Sequence, residues 1–423
     1  MDTATIALII IGIALVLYIT ELIPIATTSV LACLALVIFG VVPAFGQHSA
    51  FGGFASDMVF LIVGMVIVGN ALFETGVAKI MGKTIIKIAG GNEKLFVVIL
   101  ILVATIPAAF LSNTAAAAMM LPVAASAVAA SGGKFSKKNT FMVVGIAAVT
   151  SGGLTMVGST PQLMAGSMMR DGYFEHIGFF ELAKLGGPII LLLLVYYLTI
   201  GRSILKKASS SEAEEKPAEQ EDEKPKSPIK MGIVVAVLLF CIVGFVTEIW
   251  PLGIIAMAGA TVCIITGCIS QKRVFATMDW NTVVIIGGSL GLSAGLQQSG
   301  AGQMIAEGAV NLLGADASAW MVLSILALIA VLLGNFMSAT ATAALLLPIS
   351  VSIATQMGID VRSVVIGVVV ACNISYATPV STPPMTMTLS AGYKFIDYIK
   401  FGGLFNLLAY VLVVLLFPIV LNI

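Results

Sequence analysis

Four short polar clusters interrupt an otherwise apolar chain: Ser112-Asn113-Thr114, Ser159-Thr160-Pro161, Ser338-Ala339-Thr340 and Ser381-Thr382-Pro383. None contains Lys, Arg or His, so their chemistry must come from hydroxyls, amides and the backbone. The first and third join paired apolar runs, 95–111 with 114–130 and 320–337 with 340–356, and leave too few residues between them to reach an aqueous surface. Each junction reads as the tip of a re-entrant hairpin that dips into a membrane and returns to the same side. A tip exposes the N-terminus of its returning helix, with unpaired N–H groups and partial positive charge. An anion can be held there without a cationic side chain. The departing arm ends in bare carbonyls, which together with Ser or Asn oxygens can coordinate a hard cation such as Na⁺. In the two Thr-Pro clusters proline removes a donor and frees an upstream carbonyl. Irregular backbone is tolerated at membrane depth only where it lines a cavity.

The elements that must position these clusters are apolar helices. Of the 423 residues 59% are hydrophobic and 10% charged, and the mean hydropathy is +1.10, whereas soluble domains carry about 25% charged residues. Apolar runs at 4–20, 25–43, 58–75, 95–111, 114–130, 141–157 and 182–200 precede a polar, Pro-containing stretch from Lys206 to Lys230. Runs at 231–249, 252–270, 282–298, 320–337, 340–356, 363–378 and 402–421 follow it. The polar stretch cannot bury anything and reads as a solvated linker. The expected fold is therefore an all-α polytopic membrane protein. Residues 1–205 and 231–423 each supply five transmembrane helices plus one re-entrant hairpin (95–130 and 320–356), joined by the 206–230 linker. Met1-Asp2-Thr3 opens straight into an apolar run with no basic region before it, so that run is expected to stay as a span.

Charge bias sets the expected orientation. With the N-terminus outside and each hairpin returning to its own side, only Arg170, Lys184 and Arg362 of the 21 basic residues lie outside. The rest, including those of the linker, are cytoplasmic, as the positive-inside rule asks. The C-terminus is then outside, in a cell (inner) membrane. Hairpins that crossed fully would put Lys134, Lys137 and Lys138 opposite Lys79 to Lys94 and weaken the bias. Lys79, Lys83 and Lys87 recur at helical spacing among isoleucines, which predicts an amphipathic helix on the cytoplasmic surface.

The second half echoes the first. Thr20-Glu21-Leu22-Ile23-Pro24 recurs as Thr247-Glu248-Ile249-Trp250-Pro251. The tips recur with Leu121-Pro122 matched by Leu347-Pro348. Ser151-Gly152-Gly153 through Pro161 recurs as Ser375-Tyr376-Ala377 through Pro383. An odd number of crossings per half makes these inverted repeats, and helices broken at matching positions point to a binding site at the midplane. Ser, Thr, Gly and Pro also serve close packing of membrane helices, but two paired breaks are not explained by packing.

Several classes are excluded or disfavoured. Zero net charge leaves no nucleic-acid footprint. Cys33, Cys241, Cys263, Cys268 and Cys372 sit in apolar runs without metal spacing and read as packing residues. A cation/proton antiporter should need a buried carboxylate. Glu21 and Glu248 sit at span ends beside a proline, and Asp57 and Glu74 at span edges, so they read as interfacial or structural. His48 and His176 fall in outside loops. No cluster of His, Asp or Cys suggests a membrane enzyme.

At these motifs, and in the Phe395-x-Asp397-Tyr398-x-Lys400-x-Gly402 run, the chain resembles the divalent anion:sodium symporter family of the ion transporter superfamily. The resemblance covers nearly the whole chain. It implies a homodimer in the lipid bilayer, with scaffold and transport domains, that imports a small di- or tricarboxylate or related divalent anion by sodium-coupled symport of elevator type. Anion exchange and proton coupling are the alternatives. By position, it assigns one sodium site to Ser112, Asn113 and Ser159, and a second to Ala339, Ser381 and backbone near Gly334. Asn113, Thr114, Thr160, Thr340 and Thr382 would contact the anion, with Pro161 and Pro383 shaping the turns. Two departures from the family pattern stand out. Ala339 replaces the expected Asn, and the Thr-Pro-Pro-Asn turns become Thr160-Pro161-Gln162 and Thr382-Pro383-Pro384-Met385.

Overall fold

The computed structural model describes residues 2–423 apart from 21, 47–48, 77–86, 131–134, 172–173, 210–226, 248, 279, 314–316 and 380. Among the described residues every regular element is helical. The first part comprises α1 (Thr3–Thr20), α2 (Ile25–Ile38), α3 (Asp57–Thr75), α4 (Glu93–Phe110), α5 (Asn113–Ala130), α6 (Lys137–Gly152), α7 (Thr160–Asp171) and α8 (Ala183–Tyr196). A π turn at Tyr197–Gly201 carries α8 on into Arg202–Ser209. Beyond the polar segment come α9 (Pro228–Thr247), α10 (Leu252–Ile265), α11 (Gln271–Thr277), α12 (Trp280–Ser299), α13 (Ala301–Leu313), α14 (Ala319–Phe336), α15 (Ala339–Met357), α16 (Val361–Cys372) and α17 (Pro383–Met387). A helical turn, Phe395–Tyr398, leads through a second π turn at Ile399–Gly403 into α18 (Leu404–Val420). Six stretches, including α4, α14, α15 and Phe395–Val420, are long and apolar enough to cross a membrane. The amphipathic surface helix, Glu21, Glu248, His48 and most of the linker lie wholly or largely outside the described residues.

Local chemistry sets the helix ends. Asn92 caps α4 by accepting from Lys94 N (3.0 Å) and Leu95 N (3.3 Å). Asp360 caps α16 by accepting from Arg362 N (3.3 Å) and Ser363 N (2.9 Å), the expected use of a short polar side chain at an N-cap. Pro24 and Pro251 sit at the N-caps of α2 and α10, so the repeated Thr-Glu-x-x-Pro motif breaks the chain at matching places. Thr20 and Thr247 each turn their hydroxyl back onto the carbonyl four residues earlier, satisfying a terminal acceptor inside an apolar setting.

Two expected spans end early. The run 141–157 is helical only to Gly152, and 363–378 only to Cys372. In each the chain leaves the helix and re-enters at a Thr-Pro pair, as α7 and α17. Hydrophobic content alone cannot register such a break. Gly152-Gly153 weakens the first helix end, and Thr382, before Pro383, is held in extended backbone.

A further repeated run supports both breaks. Phe179-Phe180-Glu181-Leu182-Ala183-Lys184-Leu185-Gly186-Gly187 is echoed by Phe395-Ile396-Asp397-Tyr398-Ile399-Lys400-Phe401-Gly402-Gly403. Glu181 Oε2 accepts from Gly178 N (3.0 Å), and Asp397 Oδ2 accepts from Lys394 N (2.9 Å), the same three-residue relation twice. Gly186 presses on the first broken segment, where a Cβ would lie 2.6 Å from Gly153 O. Gly402 presses on the second, where a Cβ would lie 1.9 Å from Tyr376 O. Both contacts are backbone on backbone, so neither can relax by a rotamer change.

Gly402→Ala should therefore destabilise the fold, by about 1–3 kcal/mol as overpacking does, and lower the melting temperature of the detergent-purified protein. Gly232→Ala, on α9 with nothing within 4 Å of its added Cβ, should leave that temperature unchanged or raise it. Equal melting temperatures for the two variants would show that the Gly402 contact carries no strain.

Candidate functional site

The two tips and the two breaks converge on one cavity. It encloses about 170 Å³ and is lined by Ser112-Asn113-Thr114, Ser159-Thr160-Pro161, Ser338-Ala339-Thr340 and Ser381-Thr382-Pro383, closed on one side by apolar residues such as Ile62, Met65 and Phe110. That is below the roughly 300 Å³ where pockets for drug-sized ligands begin, so the space suits a small solute. None of the described lining residues carries a charge.

Each tip is held by its own serine. Ser112 Oγ accepts from Ala115 N (3.2 Å) and Ser338 Oγ from Ala341 N (3.2 Å). The carbonyls of the same two serines accept from Ala116 N and Thr342 N (both 3.0 Å). The serine hydroxyl thus uses one orphan donor of each helix start, and its carbonyl accepts the first intrahelical bond. Among the described residues, the N–H groups of Asn113 and Thr114 and of Ala339 and Thr340 find no acceptor within the chain. The N-terminus of α7, at Thr160, opens on the same cavity. Three N-termini of substantial helices thus direct partial positive charge at one small space, two of them with unpaired donors.

Acceptors surround the same space. The Asn113 amide faces Gly158 O and Ala148 O with its oxygen, and turned over it would donate its nitrogen to both (2.9 and 3.0 Å). Ser159 Oγ donates toward Asn373 Oδ1 (2.9 Å) and abuts Gln162 Oε1. Ser381 Oγ contacts Ser375 O (2.7 Å) and Thr378 O (3.0 Å). Among the described residues the Thr382 hydroxyl has no partner despite being only 7% exposed, which leaves it available to a ligand. Gly334 lies outside the lining itself but close behind it, where a Cβ would sit 3.4 Å from Cys372 O.

All the other residues singled out from the sequence line the cavity, whereas Asn373 and Thr282 line it without having been anticipated. The signal for Asn373 was present: it is an amide directly after the apolar run of α16, and intramembrane polar side chains mark function more often than packing. Thr282 comes from α12 and carries no comparable cue. Asp57 and Glu74 lie away from the cavity in ion pairs, with Arg170 and Arg273 respectively (both 2.9 Å). The His176 carbonyl accepts from Arg362 Nε (3.1 Å). The five cysteines are free and buried.

Broken apolar helices around a small, charge-free cavity are the architecture of a multi-pass membrane transporter. The citrate transporter family, CitMHS, matches residues 15–363, and the chain belongs to that family. It is 28% identical over 418 residues to an uncharacterised transporter of Haemophilus influenzae, covering 94% of this chain and 88% of that protein. It is 24% identical over 304 residues to the sodium-dependent dicarboxylate transporter SdcS of Staphylococcus saprophyticus, covering 65% of this chain and 57% of that one. These relationships agree with the resemblance to the divalent anion:sodium symporters. Among solved structures it is similar to MtrF of Neisseria gonorrhoeae, with a TM-score of 0.60 at 15% identity over 98% of this chain and 95% of that one. At that identity the likeness concerns the fold alone.

The cavity can be tested without knowing its ligand. Because the native cysteines are buried, Thr114→Cys and Thr340→Cys should each react with a small methanethiosulfonate in detergent. Val149→Cys, at a fully buried position, should not. Mass spectrometry reads the adduct, and unreactive cysteines at both tips would mean that the cavity is closed to solutes.

Proposed function

We propose that this chain is a secondary active transporter that imports a small di- or tricarboxylate by sodium-coupled symport. The observation that carries the proposal is the meeting of unpaired N–H groups from α5 and α15, beside the start of α7, in a cavity whose described lining has no charged side chain. Such a site attracts an anion but cannot neutralise two or three carboxylate charges by itself. A cation bound beside it supplies the missing charge, and coupling follows from that need.

Sodium is the cation the donor set favours. With the Asn113 amide oxygen toward Gly158 O and Ala148 O, no donor stands among the three acceptors. Three neutral oxygens would then converge beside Ser112 and Ser159, a hard, weakly charged environment of the kind half-helix ends offer Na⁺. Ser381, the backbone at Ala339 and the region of Gly334 form the corresponding second candidate. The anion would lie between Asn113-Thr114 and Thr340, with Thr160 and Thr382 against it and Pro161 and Pro383 holding the turns. Anion exchange uses the same cavity. Proton coupling is less well supported, since no carboxylate occurs among the lining residues.

The wider architecture belongs to the same reading. Residues 1–205 and 231–423 act as inverted repeats on either side of the 206–230 cytoplasmic linker, with hairpins 95–130 and 320–356 re-entrant from opposite faces. Both termini lie outside an inner membrane. The hairpins and broken helices move as a transport domain against a scaffold in a homodimer, an elevator motion. The repeated sequence runs, the meeting of both tips and the distribution of basic residues support this arrangement.

In proteoliposomes, citrate or succinate uptake should be several-fold faster with an inward Na⁺ gradient than with K⁺. Asn113→Ala should lower the initial rate at least about tenfold, the effect of losing hydrogen bonds to a charged group, with its elution profile and helix content unchanged. Equal rates in Na⁺ and K⁺ would overturn the coupling, and wild-type uptake by Asn113→Ala would remove the tip from the mechanism.

A further inference from the structure

The amide missing from the second tip has a neighbour that can replace it. At the repeat spacing of the tips, Ala339 stands opposite Asn113, so the second half lacks the side chain that reaches Ala148 O in the first. At the repeat spacing of the breaks, Ala148 corresponds to Cys372, and the next residue is Asn373. Asn373 in turn stands opposite Val149, which is fully buried and apolar. One amide has been lost from the second half and another gained at an adjoining place.

The geometry of Asn373 suits a ligand contact. It lines the cavity and is only 4% exposed. Its Nδ2 donates to Val369 O (2.8 Å) in its own helix, and its Oδ1 accepts from Ser159 Oγ (2.9 Å) across the break of the first half. These two bonds fix the amide plane. Among the described residues the second N–H of Nδ2 has no acceptor, and a buried amide donor without a partner is costly unless a ligand supplies one.

We propose that Asn373 is a specificity-determining residue that contacts substrate, donating its free N–H to the carboxylate held by the second half in the place of the amide absent at 339. The inference rests on the proposed carboxylate transport and deepens it. One carboxylate is held at the Asn113 tip and the other at Thr340, Thr382 and Asn373. A substrate with a single carboxylate therefore gains nothing from Asn373, because a site built for a hydrogen-bonding group discriminates by what the analogue lacks.

The test is ligand binding by the detergent-purified full chain in Na⁺, using succinate and butyrate as probes and thermal shift or calorimetry as readout. Asn373→Val should weaken succinate binding about tenfold or more and leave butyrate binding unchanged. Asn373→Asp keeps the acceptor for Ser159 but replaces the donor with a negative charge, and it should lose succinate at least as severely. This second variant decides the matter if Asn373→Val does not fold. Ala339→Asn combined with Asn373→Val should restore succinate binding to within about threefold of wild type if the two positions are interchangeable, a coupling that a double-mutant cycle isolates. Folded Asn373 variants that bind succinate like wild type, or a folded double variant no better than Asn373→Val, would overturn the assignment while leaving the transport proposal intact. A wild-type chain that binds no carboxylate in Na⁺ would overturn both.

Discussion

The fold depends on one constraint: a backbone N–H or C=O inside an apolar surround must find a partner. The chain breaks two helices in its interior, and each break releases groups that would otherwise be costly to bury. The last turns of the hairpin arms take them up. Thr155 Oγ1 donates to Ala109 O near the end of α4, and Thr378 Oγ1 donates to Asn335 O (2.6 Å) near the end of α14. Asn335 also accepts from Ala377 N (2.8 Å), and Asn406 accepts from Tyr376 N (2.9 Å). In the first half Met156 N reaches Phe179 O (3.1 Å). The donors left over at the tips are those facing the cavity, where a solute or water can meet them.

That economy explains why the supports of the breaks are as strict as the breaks themselves. A broken segment holds its shape only if something presses on it from behind, and here the pressing element is a glycine in each half, Gly186 and Gly402. No other residue type permits so close a backbone approach. Aromatic packing reinforces the second: Tyr196 OH donates to Phe401 O (2.9 Å), and the Tyr196 ring lies 5.0 Å from that of Phe401. The two π turns fall where α8 and α18 meet, which fits the association of such turns with functional regions. Thr150 Oγ1 donates to Tyr376 OH (2.9 Å) and so ties one break to the other. The ion pairs act at a distance from this polar centre. Arg362–Glu181 (2.5 Å) joins the start of α16 to the loop before α8, and Asp57–Arg170 joins α3 to the end of α7. Partly exposed pairs of this sort fix orientation more than they add stability.

Much of this was legible in the sequence because hydrophobic runs of membrane length are a strong signal and because the motifs recur. The helix breaks at 111–113 and 337–339 followed from the short polar junctions between apolar runs, whereas the caps made by Ser112 and Ser338 had no separate signal. The ends of α6 and α16 were not legible. Gly152-Gly153 and Asn373 sit inside apolar stretches whose averages do not change, and only the backbone's own demands stop the helix there. The bracing run around Gly186 carries a weak signal for a related reason: it shares only spaced Phe, acidic, Lys and Gly positions with its twin at Gly402. Asn373 and Thr282 were missed because a lone polar residue in a membrane helix has many uses, and its orientation is decided by packing.

Repetition of the fold does not make the two halves chemically alike. After its Thr-Pro break the first half offers a helix whose second and third positions are Pro161 and Gln162, so a donor returns at once. The second half begins its short helix with Pro383 and Pro384, neither of which has an N–H. The first tip has an amide and the second a methyl. The second half, in turn, holds Asn335 and Asn373, both buried, where the first has Ala109 and Val149. Backbone donors stand at the tip-helix starts of both halves, but the side-chain amides differ: the first half carries Asn113 at its tip, whereas the second holds its backbone with Asn335 and reaches across to Ser159 with Asn373. A solute between them meets two different walls, and orientation within the cavity follows from that difference rather than from any charged side chain.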